Sequence, residues 1–235
     1  MVDLNLNLLA LLFAVPAMLF TLYAQFRVQR AYSKYSRVRN ENDVTGAEVA
    51  RVLMRDHGLD IGVESVQGNL TDHYDPRRDI MRLSQGVART PSVAALGIVA
   101  HELGHAMQDK TGYALLKLRA GIVPLVQIGS SAGYIAFFAG LALNLAGLTW
   151  LGVLLFSGGA LFALVTLPVE LDASKRAMDM LQASNLVGSG EAGQVRSVLN
   201  AAAMTYVAAL AQVFSQLLYF VLMALGAGRT TRRRY

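Results

Sequence analysis

The sequence predicts a mainly α integral membrane protein with three to four transmembrane helices and a small α+β unit. Of its 235 residues, 54% are hydrophobic and only 16% are charged, which is too few charges for the surface of an ordinary soluble domain. Several apolar stretches are long enough to cross a bilayer, and the polar segments between them leave roughly 100 to 130 residues for one globular unit.

Four apolar stretches define the predicted membrane segments. Residues 4–24 predict an N-terminal anchor, and residues 121–146 and 148–169 predict a transmembrane hairpin. Residues 202–225 contain Gln212, Ser215 and Gln216, so they are either a fourth span or a helix buried against the others. The predicted organisation is therefore an anchor at 1–25, a globular region at 26–120, the hairpin at 121–169, a helix and loop at 170–200, and an apolar helix with a basic tail at 201–235.

The basic residues indicate orientation rather than a nucleic-acid partner. The net charge is +5, and its positive residues cluster after the first span, before the second and after the third, which predicts that all three positions lie in the cytoplasm. If the fourth stretch crosses the membrane, the tail lies outside the cytoplasm. This conflicts with the rule, because the tail contains Arg229, Arg232, Arg233 and Arg234. Either the last helix does not cross, or the tail is an exception.

The absence of cysteine restricts the chemistry that the chain can perform. The sequence contains no cysteine, which excludes disulfides, thiolate metal sites and cysteine nucleophiles. Any metal must therefore be bound by histidine and carboxylate side chains.

Turn and capping signals predict the elements of the globular unit. Thr45 and Glu48 have the spacing of a capping box at the start of a helix, and Gly58 marks its end. Short β-like runs follow at 61–66, 69–74 and 80–84, with a turn at 75–77, and predict a hairpin. Thr90 as N-cap and Pro91 at the first helical position then predict a helix that extends to about Gln108.

This last helix carries a His-Glu-x-x-His motif at residues 101–105. On a helix, His101 and His105 project from one face and can bind a single zinc ion. Glu102 lies beside that metal and can act as the general base that takes a proton from water. Two histidines and a glutamate in an apolar helix would be costly without a metal or polar partners.

The third ligand must come from elsewhere, because no histidine follows His105. Glu170 is the first candidate, since two spans of similar length separate it from His105 and would return the chain to the same side of the membrane. Asp172 is the alternative, either as ligand or as a hydrogen-bond partner of a ligand histidine. Glu170 and Asp172 also have a purely structural explanation, because acidic residues are favoured at the start of a solvated helix.

Three segments resemble the YugP-type family of neutral zinc metallopeptidases: His-Glu-Leu-Gly-His-Ala-Met-Gln at 101–108, Leu-Thr-Asp-His-Tyr-Asp-Pro at 70–76 and Val-Glu-Leu-Asp-Ala-Ser at 169–174. The order of motif, membrane hairpin and Glu-x-x-Ala also resembles, more distantly, the HtpX and CAAX-prenyl endopeptidases. These resemblances imply a zincin-like catalytic unit of the gluzincin type with one zinc ion per chain and Glu170 as third ligand. The sequence departs from the distant relatives in having Ser174 where they usually have aspartate.

Candidates for stabilising the transition state are His73, Tyr74 and Tyr206. The leading hypothesis is a multi-pass membrane endopeptidase that cleaves peptides or membrane proteins at the cytoplasmic surface of the bilayer. A non-catalytic membrane scaffold that retains the fold, and zinc-dependent hydrolysis of a non-peptide bond, are the alternatives. Gly158 and Gly159 permit the close helix packing found in oligomers. No organic cofactor and no nucleic-acid partner are expected.

Overall fold

The computed structural model of the chain describes the backbone of residues 2–232 and the side chains of residue 8 and residues 11–226. Within this part, seven helices accompany one small sheet. The basic side chains at 229–234 lie outside the described side chains, so the prediction for the tail is not tested. The elements are α1 (Val2–Tyr35), α2 (Gly46–His57), β1 (Gly62–Val66), β2 (His73–Asp75), β3 (Ile80–Ser84), α3 (Gln85–Arg89), α4 (Val93–Lys110), α5 (Ala114–Ala142), α6 (Ala146–Ala183) and α7 (Ser189–Arg232).

Four of the helices are long and apolar enough to cross a membrane. The candidate spans are Leu11–Tyr35, Ala114–Ala142, Ala146–Ala183 and Ser189–Gly226. The prediction of a mainly helical chain with three to four such helices and a small sheet is confirmed. Each helix is longer than the apolar stretch that predicted it, because residues beyond one or both ends of the stretch continue the same helix. The predicted end of the second stretch at 146 was wrong, since α5 ends at Ala142 and Ala146 already begins α6.

The chain divides into two compact units. A helical unit contains the described residues at 2–23, 118–167 and 206–232, and an α/β unit contains residues 24–117 and 168–205. Each of the four long helices has one part in each unit, since the divisions fall within α1, α5, α6 and α7.

Aromatic rings and glycines form the core of the helical unit. The Phe137 and Phe220 rings stack at 4.2 Å between centroids, and both side chains are fully buried. A Cβ at Gly152 would lie 2.6 Å from the Phe137 Cα, so the glycine is required for the close approach of α5 and α6. Cβ atoms at Gly158 and Gly159 would meet no atom closer than 3.8 Å, so these two glycines are not needed for the packing within the unit.

The helix α2 forms as its sequence predicts. The Glu48 N–H donates to the Thr45 Oγ1, and the Glu48 carboxylate accepts from the Thr45 N–H, which completes the capping box. Gly58 ends the helix with a left-handed φ of 61°. The buried face of α2 packs in the core of the α/β unit with Leu83, Leu96 and other apolar residues.

The sheet has the order β1-β3-β2. β1 runs parallel to β3, and β2 and β3 form the predicted antiparallel hairpin. The predicted strand at 69–74 was wrong in extent, because only His73–Asp75 pairs with β3. Gly68 and Leu70 have φ angles of 100° and 57°, and these left-handed conformations interrupt an extended strand. β2 is therefore a short edge strand.

The start of α4 differs from the prediction by two residues. Ser92, not Thr90, is the N-cap, and its Oγ accepts from the Ala95 N–H at 3.2 Å. Thr90 and Pro91 are not helical, because the neighbouring backbone pairs with residues 38–40: the Asn40 N–H donates to Pro91 O and the Val93 N–H donates to Val38 O. Tertiary pairing thus delays a helix that local capping preferences would begin earlier.

The helix α6 continues through Pro168 to Ala183. The explanation that Glu170 and Asp172 are acidic residues favoured at the start of a helix was therefore wrong, because both residues lie inside α6. Proline removes one intrahelical hydrogen bond but does not by itself end a helix in a membrane protein. Glu170 therefore lies well inside a long helix, where its carboxylate is buried and needs a partner.

Candidate metal centre

Three side chains from two helices of the α/β unit converge on one point. The Nε2 atoms of His101 and His105 on α4 lie 3.2 and 3.4 Å from the Oε2 of Glu170 on α6. Among the described residues, these form the one group of three or more potential metal ligands whose donor atoms lie within 4.8 Å of one another.

The two separations between Glu170 and the histidines fit a zinc ion, within a group whose donor atoms spread over up to 4.8 Å. Bonds of about 2.0 to 2.1 Å at tetrahedral angles separate neighbouring ligand atoms by about 3.3 Å, which agrees with the two distances from Glu170. The donor set of two imidazoles and one carboxylate is also that of catalytic zinc sites, which leave a fourth position open. The side chains of His101 and His105 are 15% and 12% exposed, so solvent reaches the open side.

A glycine on α4 lets the two ligand-bearing helices approach closely. A Cβ at Gly104 would clash with the carbonyl oxygen of Ala173 and lie 3.1 Å from its carbonyl carbon. Because Gly104 lies between the two histidines and Ala173 is close to Glu170 in sequence, this contact sets the helix spacing at the site itself.

The other ring nitrogen of each histidine has a polar partner. His105 Nδ1 lies 3.0 Å from Gln108 Oε1, and His101 Nδ1 lies 3.2 Å from Ser174 Oγ. Such contacts orient the rings of metal ligands. Asp172 does not contact either histidine ring directly, and it accepts instead from Gln108 Nε2 at 2.8 Å and from Arg176 Nε at 2.6 Å.

Glu102 lies beside the three residues and is held by the edge strand. Its Oε2 accepts from the Tyr74 backbone N–H at 2.9 Å. Burial raises the pKa of the Glu102 carboxyl, although His101, His105 and the Tyr74 N–H oppose the shift. A raised pKa suits a group that must accept and return a proton near neutral pH.

Without a bound metal, the pKa of His105 depends on Glu170. Burial lowers the pKa of the His105 ring, but the hydrogen bond and charge of Glu170 and the charge of Glu102 outweigh it, so the net shift is upward. The imidazole must lose this proton before it can bind a metal.

The three candidates for transition-state stabilisation have different surroundings. His73 is exposed on β2, with Nδ1 2.8 Å from Thr71 O and Nε2 3.3 Å from Arg82 Nη1. The Tyr74 hydroxyl lies within hydrogen-bond distance of the Asp79 and Asp109 carboxylates, so its side chain is directed to those two acids. Tyr206 belongs to the helical unit, and its predicted role is not tested.

Sequence reasoning missed the Tyr74 N–H, Gln108 and the contact made by Ser174. Helical spacing offered a signal for two of them, since Gln108 follows His105 by three residues and Ser174 follows Glu170 by four, which places each pair on one helix face. The contact made by Tyr74 offered no such signal, because its backbone N–H donates to a side chain 28 positions further along the chain.

Two comparisons show which known proteins the chain is similar to. Residues 10–225 match the model of a family described as "Putative neutral zinc metallopeptidase". The chain is also 40% identical over 219 residues to the "Putative membrane protease YugP" of Bacillus subtilis (strain 168), which covers 93% of this chain and 97% of that protein. No solved structure matches the chain.

Proposed function

Since this chain belongs to the family described as "Putative neutral zinc metallopeptidase", we propose that it is a membrane-bound endopeptidase whose zinc ion is held by His101, His105 and Glu170. The convergence of two imidazole Nε2 atoms on one buried carboxylate oxygen carries this proposal. The neighbouring Glu102 distinguishes it from a structural metal site, which needs four protein ligands and no adjacent base.

The proposed mechanism divides the work between the metal and Glu102. A bound zinc ion would polarise the scissile carbonyl and lower the pKa of water. Glu102 accepts the proton of the attacking water and later donates it to the leaving amine. The Tyr74 N–H holds one oxygen of Glu102, which keeps the carboxylate oriented during both transfers.

The edge strand β2 offers a place for the substrate backbone. Its backbone pairs with β3 on one side, and the Tyr74 N–H points to Glu102 on the other. An extended peptide can add to such an edge through main-chain hydrogen bonds to groups other than the Tyr74 N–H, which already donates to Glu102. The exposed His73 ring on this strand and Tyr206 on α7 remain the proposed groups that stabilise the developing oxyanion.

We place the proposed active site at the cytoplasmic surface of the cell membrane. The basic residues that follow α1, precede or begin α5 and follow Glu170 in α6 all favour that side. A protease in this position would cleave membrane proteins or their segments close to the bilayer surface.

Metal content and proteolysis, measured on the same purified variants, test the proposal. Glu102→Gln keeps an oxygen that can accept from Tyr74 N–H, so we expect it to bind one zinc ion per chain and to lose about 10²- to 10⁴-fold in activity. His101→Ala and Glu170→Ala should lose both zinc and activity. Normal cleavage by Glu102→Gln would exclude Glu102 as the general base, whereas zinc-loaded wild type that cleaves no substrate would leave the scaffold hypothesis.

The proposed stabilisers require a separate experiment. His73→Ala and Tyr206→Phe should retain zinc and lower kcat by up to about 10²- to 10³-fold if each donates to the oxyanion. Tyr219→Phe, on the same helix as Tyr206, is the matched control. Equal kcat values for Tyr206→Phe and Tyr219→Phe would exclude Tyr206 from the reaction.

A further inference from the structure

We infer that Gln108 is a positioning residue for the metal centre: its carboxamide fixes His105 as the tautomer with hydrogen on Nδ1 and so directs the Nε2 lone pair to the metal. The inference rests on the zinc centre proposed above, but it does not depend on which bond the protein hydrolyses.

The partners of Gln108 determine which way its amide faces. The side chain is fully buried, and its Nε2 donates to the backbone oxygen of Val169 and to Asp172 Oδ2, both at 2.8 Å. A carbonyl oxygen can only accept, and the Asp172 carboxylate also accepts from Arg176. Both amide hydrogens therefore have acceptors, and the reversed amide would place oxygen against oxygen.

The orientation of the amide determines the hydrogen position on His105. Gln108 Oε1 lies 3.0 Å from His105 Nδ1. Because an amide oxygen has no hydrogen to donate, the hydrogen of this contact must be on Nδ1. A neutral imidazole with hydrogen on Nδ1 has its lone pair on Nε2, the atom that faces Glu170.

His101 provides a natural contrast within the same site. Its Nδ1 lies against the Ser174 hydroxyl, which can either donate or accept and therefore does not select a tautomer. Gln108 has a second effect that Ser174 lacks. Its bond to Val169 O joins α4 to the residue before Glu170, so one buried side chain helps to position two of the three proposed ligands.

Gln108→Met tests the inference, because methionine has a similar size and removes both the donor and the acceptor. Zinc affinity would be measured on purified protein by competition with a chelator, and we expect a loss of about 10- to 100-fold. In parallel, nuclear magnetic resonance of zinc-loaded protein with ¹⁵N-labelled histidine should show a protected Nδ1 hydrogen on His105 in the wild type. That hydrogen should exchange with solvent faster in Gln108→Met.

Ser174→Ala is the matched control, since it removes the partner of the other histidine and should leave the His105 Nδ1 signal unchanged. The wild type alone also tests the inference, because the proposed tautomer requires a hydrogen on His105 Nδ1 whether or not Gln108→Met folds.

The outcomes separate this inference from the proposed function. Zinc affinity within about twofold of wild type in Gln108→Met, with an unchanged His105 signal, would overturn the role of Gln108. The same would follow if the zinc-loaded wild type carried no hydrogen on His105 Nδ1. If His101→Ala also retained zinc, the metal centre itself would be wrongly assigned.

Discussion

Ser174 is the residue at which this site departs most clearly from the distant endopeptidases that the sequence resembles. Its hydroxyl lies 3.2 Å from His101 Nδ1, where those relatives usually have an aspartate. A hydroxyl can orient the ring, but it is neutral and raises the basicity of the ligand less than a carboxylate does. The imidazole of His101 should therefore be a weaker donor to zinc than it would be beside an acid.

Ser174→Asp tests this difference. A carboxylate at position 174 would accept from the Nδ1–H of His101, and because Ser174 is only partly buried, the new charge would remain partly solvated. We expect zinc affinity to rise by up to about tenfold, and Ser174→Ala to lower it by about tenfold. Chelator competition on both variants measures the effect, and equal affinities would show that this hydrogen bond has no influence on metal binding.

The charge state of His105 predicts how metal binding depends on pH. In the metal-free protein the His105 pKa lies above its usual 6.5 despite burial, because Glu170 and Glu102 stabilise the protonated ring. Protons therefore compete with zinc for His105 at a pH above the normal titration of histidine. Zinc affinity should fall as pH decreases through that raised pKa, whereas Glu170→Gln should shift the pKa of His105 downward, as a pH titration of the labelled histidines would show.

The residues proposed to bind metal were named from the sequence and lie together in the structure, while their supporting contacts were not predicted. His101, Glu102 and His105 follow from a spacing of one helical turn, and Glu170 followed from the length of the hairpin between it and the motif. The Tyr74 N–H depends on where the edge of a sheet packs against α4. The side chains of this segment do not determine that the Tyr74 N–H donates to a residue 28 positions further along the chain.

At the scale of elements, the spacing between α4 and α6 determines whether the three donors can meet. Gly104 lies against the backbone of Ala173, where a Cβ would be 3.2 Å from the Ala173 Cα. Backbone atoms cannot rotate away as a side chain can. Any larger residue at position 104 must therefore separate the helices and draw Glu170 away from the imidazoles.

Gly104→Ala should destabilise the protein by about 1 to 3 kcal/mol through overpacking and should weaken zinc binding as well. Gly97→Ala, on the same helix, is the control. Its Cβ would lie 3.5 Å from Val195 Cγ1 in ordinary contact, so the change should stabilise α4 by up to about 1 kcal/mol because alanine favours a helix. Thermal unfolding and zinc content of both variants check the prediction, and normal zinc binding by Gly104→Ala would contradict it.

Local capping signals predicted the ends of a helix correctly where no backbone from a distant part of the chain pairs with that segment. The Thr45 and Glu48 box and the Gly58 stop of α2 were confirmed, since both depend on residues within one turn. The start of α4 was wrong because residues 38–40 pair with the segment around Pro91. The length of β2 was wrong because Leu70 has a left-handed conformation that its side chain does not favour.

At the scale of the whole molecule, the connectivity of the four long helices has a topological consequence. The chain enters the α/β unit at the end of α1, leaves at the start of α5, returns along α6 and leaves again along α7. If all four helices cross the membrane, the α/β unit lies on one side, and both chain ends and the turn between α5 and α6 lie on the other.

The absence of cysteine makes this topology directly measurable, because any thiol introduced into the chain is unique. Ser65→Cys places a thiol on exposed β1, and Leu145→Cys places one in the exposed turn between α5 and α6. A third variant carries a cysteine added after Tyr235. A membrane-impermeant maleimide applied to intact cells should label Leu145→Cys and the added cysteine, and should label Ser65→Cys only after permeabilisation.

Each thiol reports on a different part of the prediction. Labelling of Ser65→Cys in intact cells would contradict the cytoplasmic position of the α/β unit. Labelling of the added cysteine only after permeabilisation would show that α7 does not cross, which would resolve the conflict with the basic tail in favour of the positive-inside rule. We expect the tail to be labelled from outside, because α7 contains an apolar segment long enough to span the bilayer.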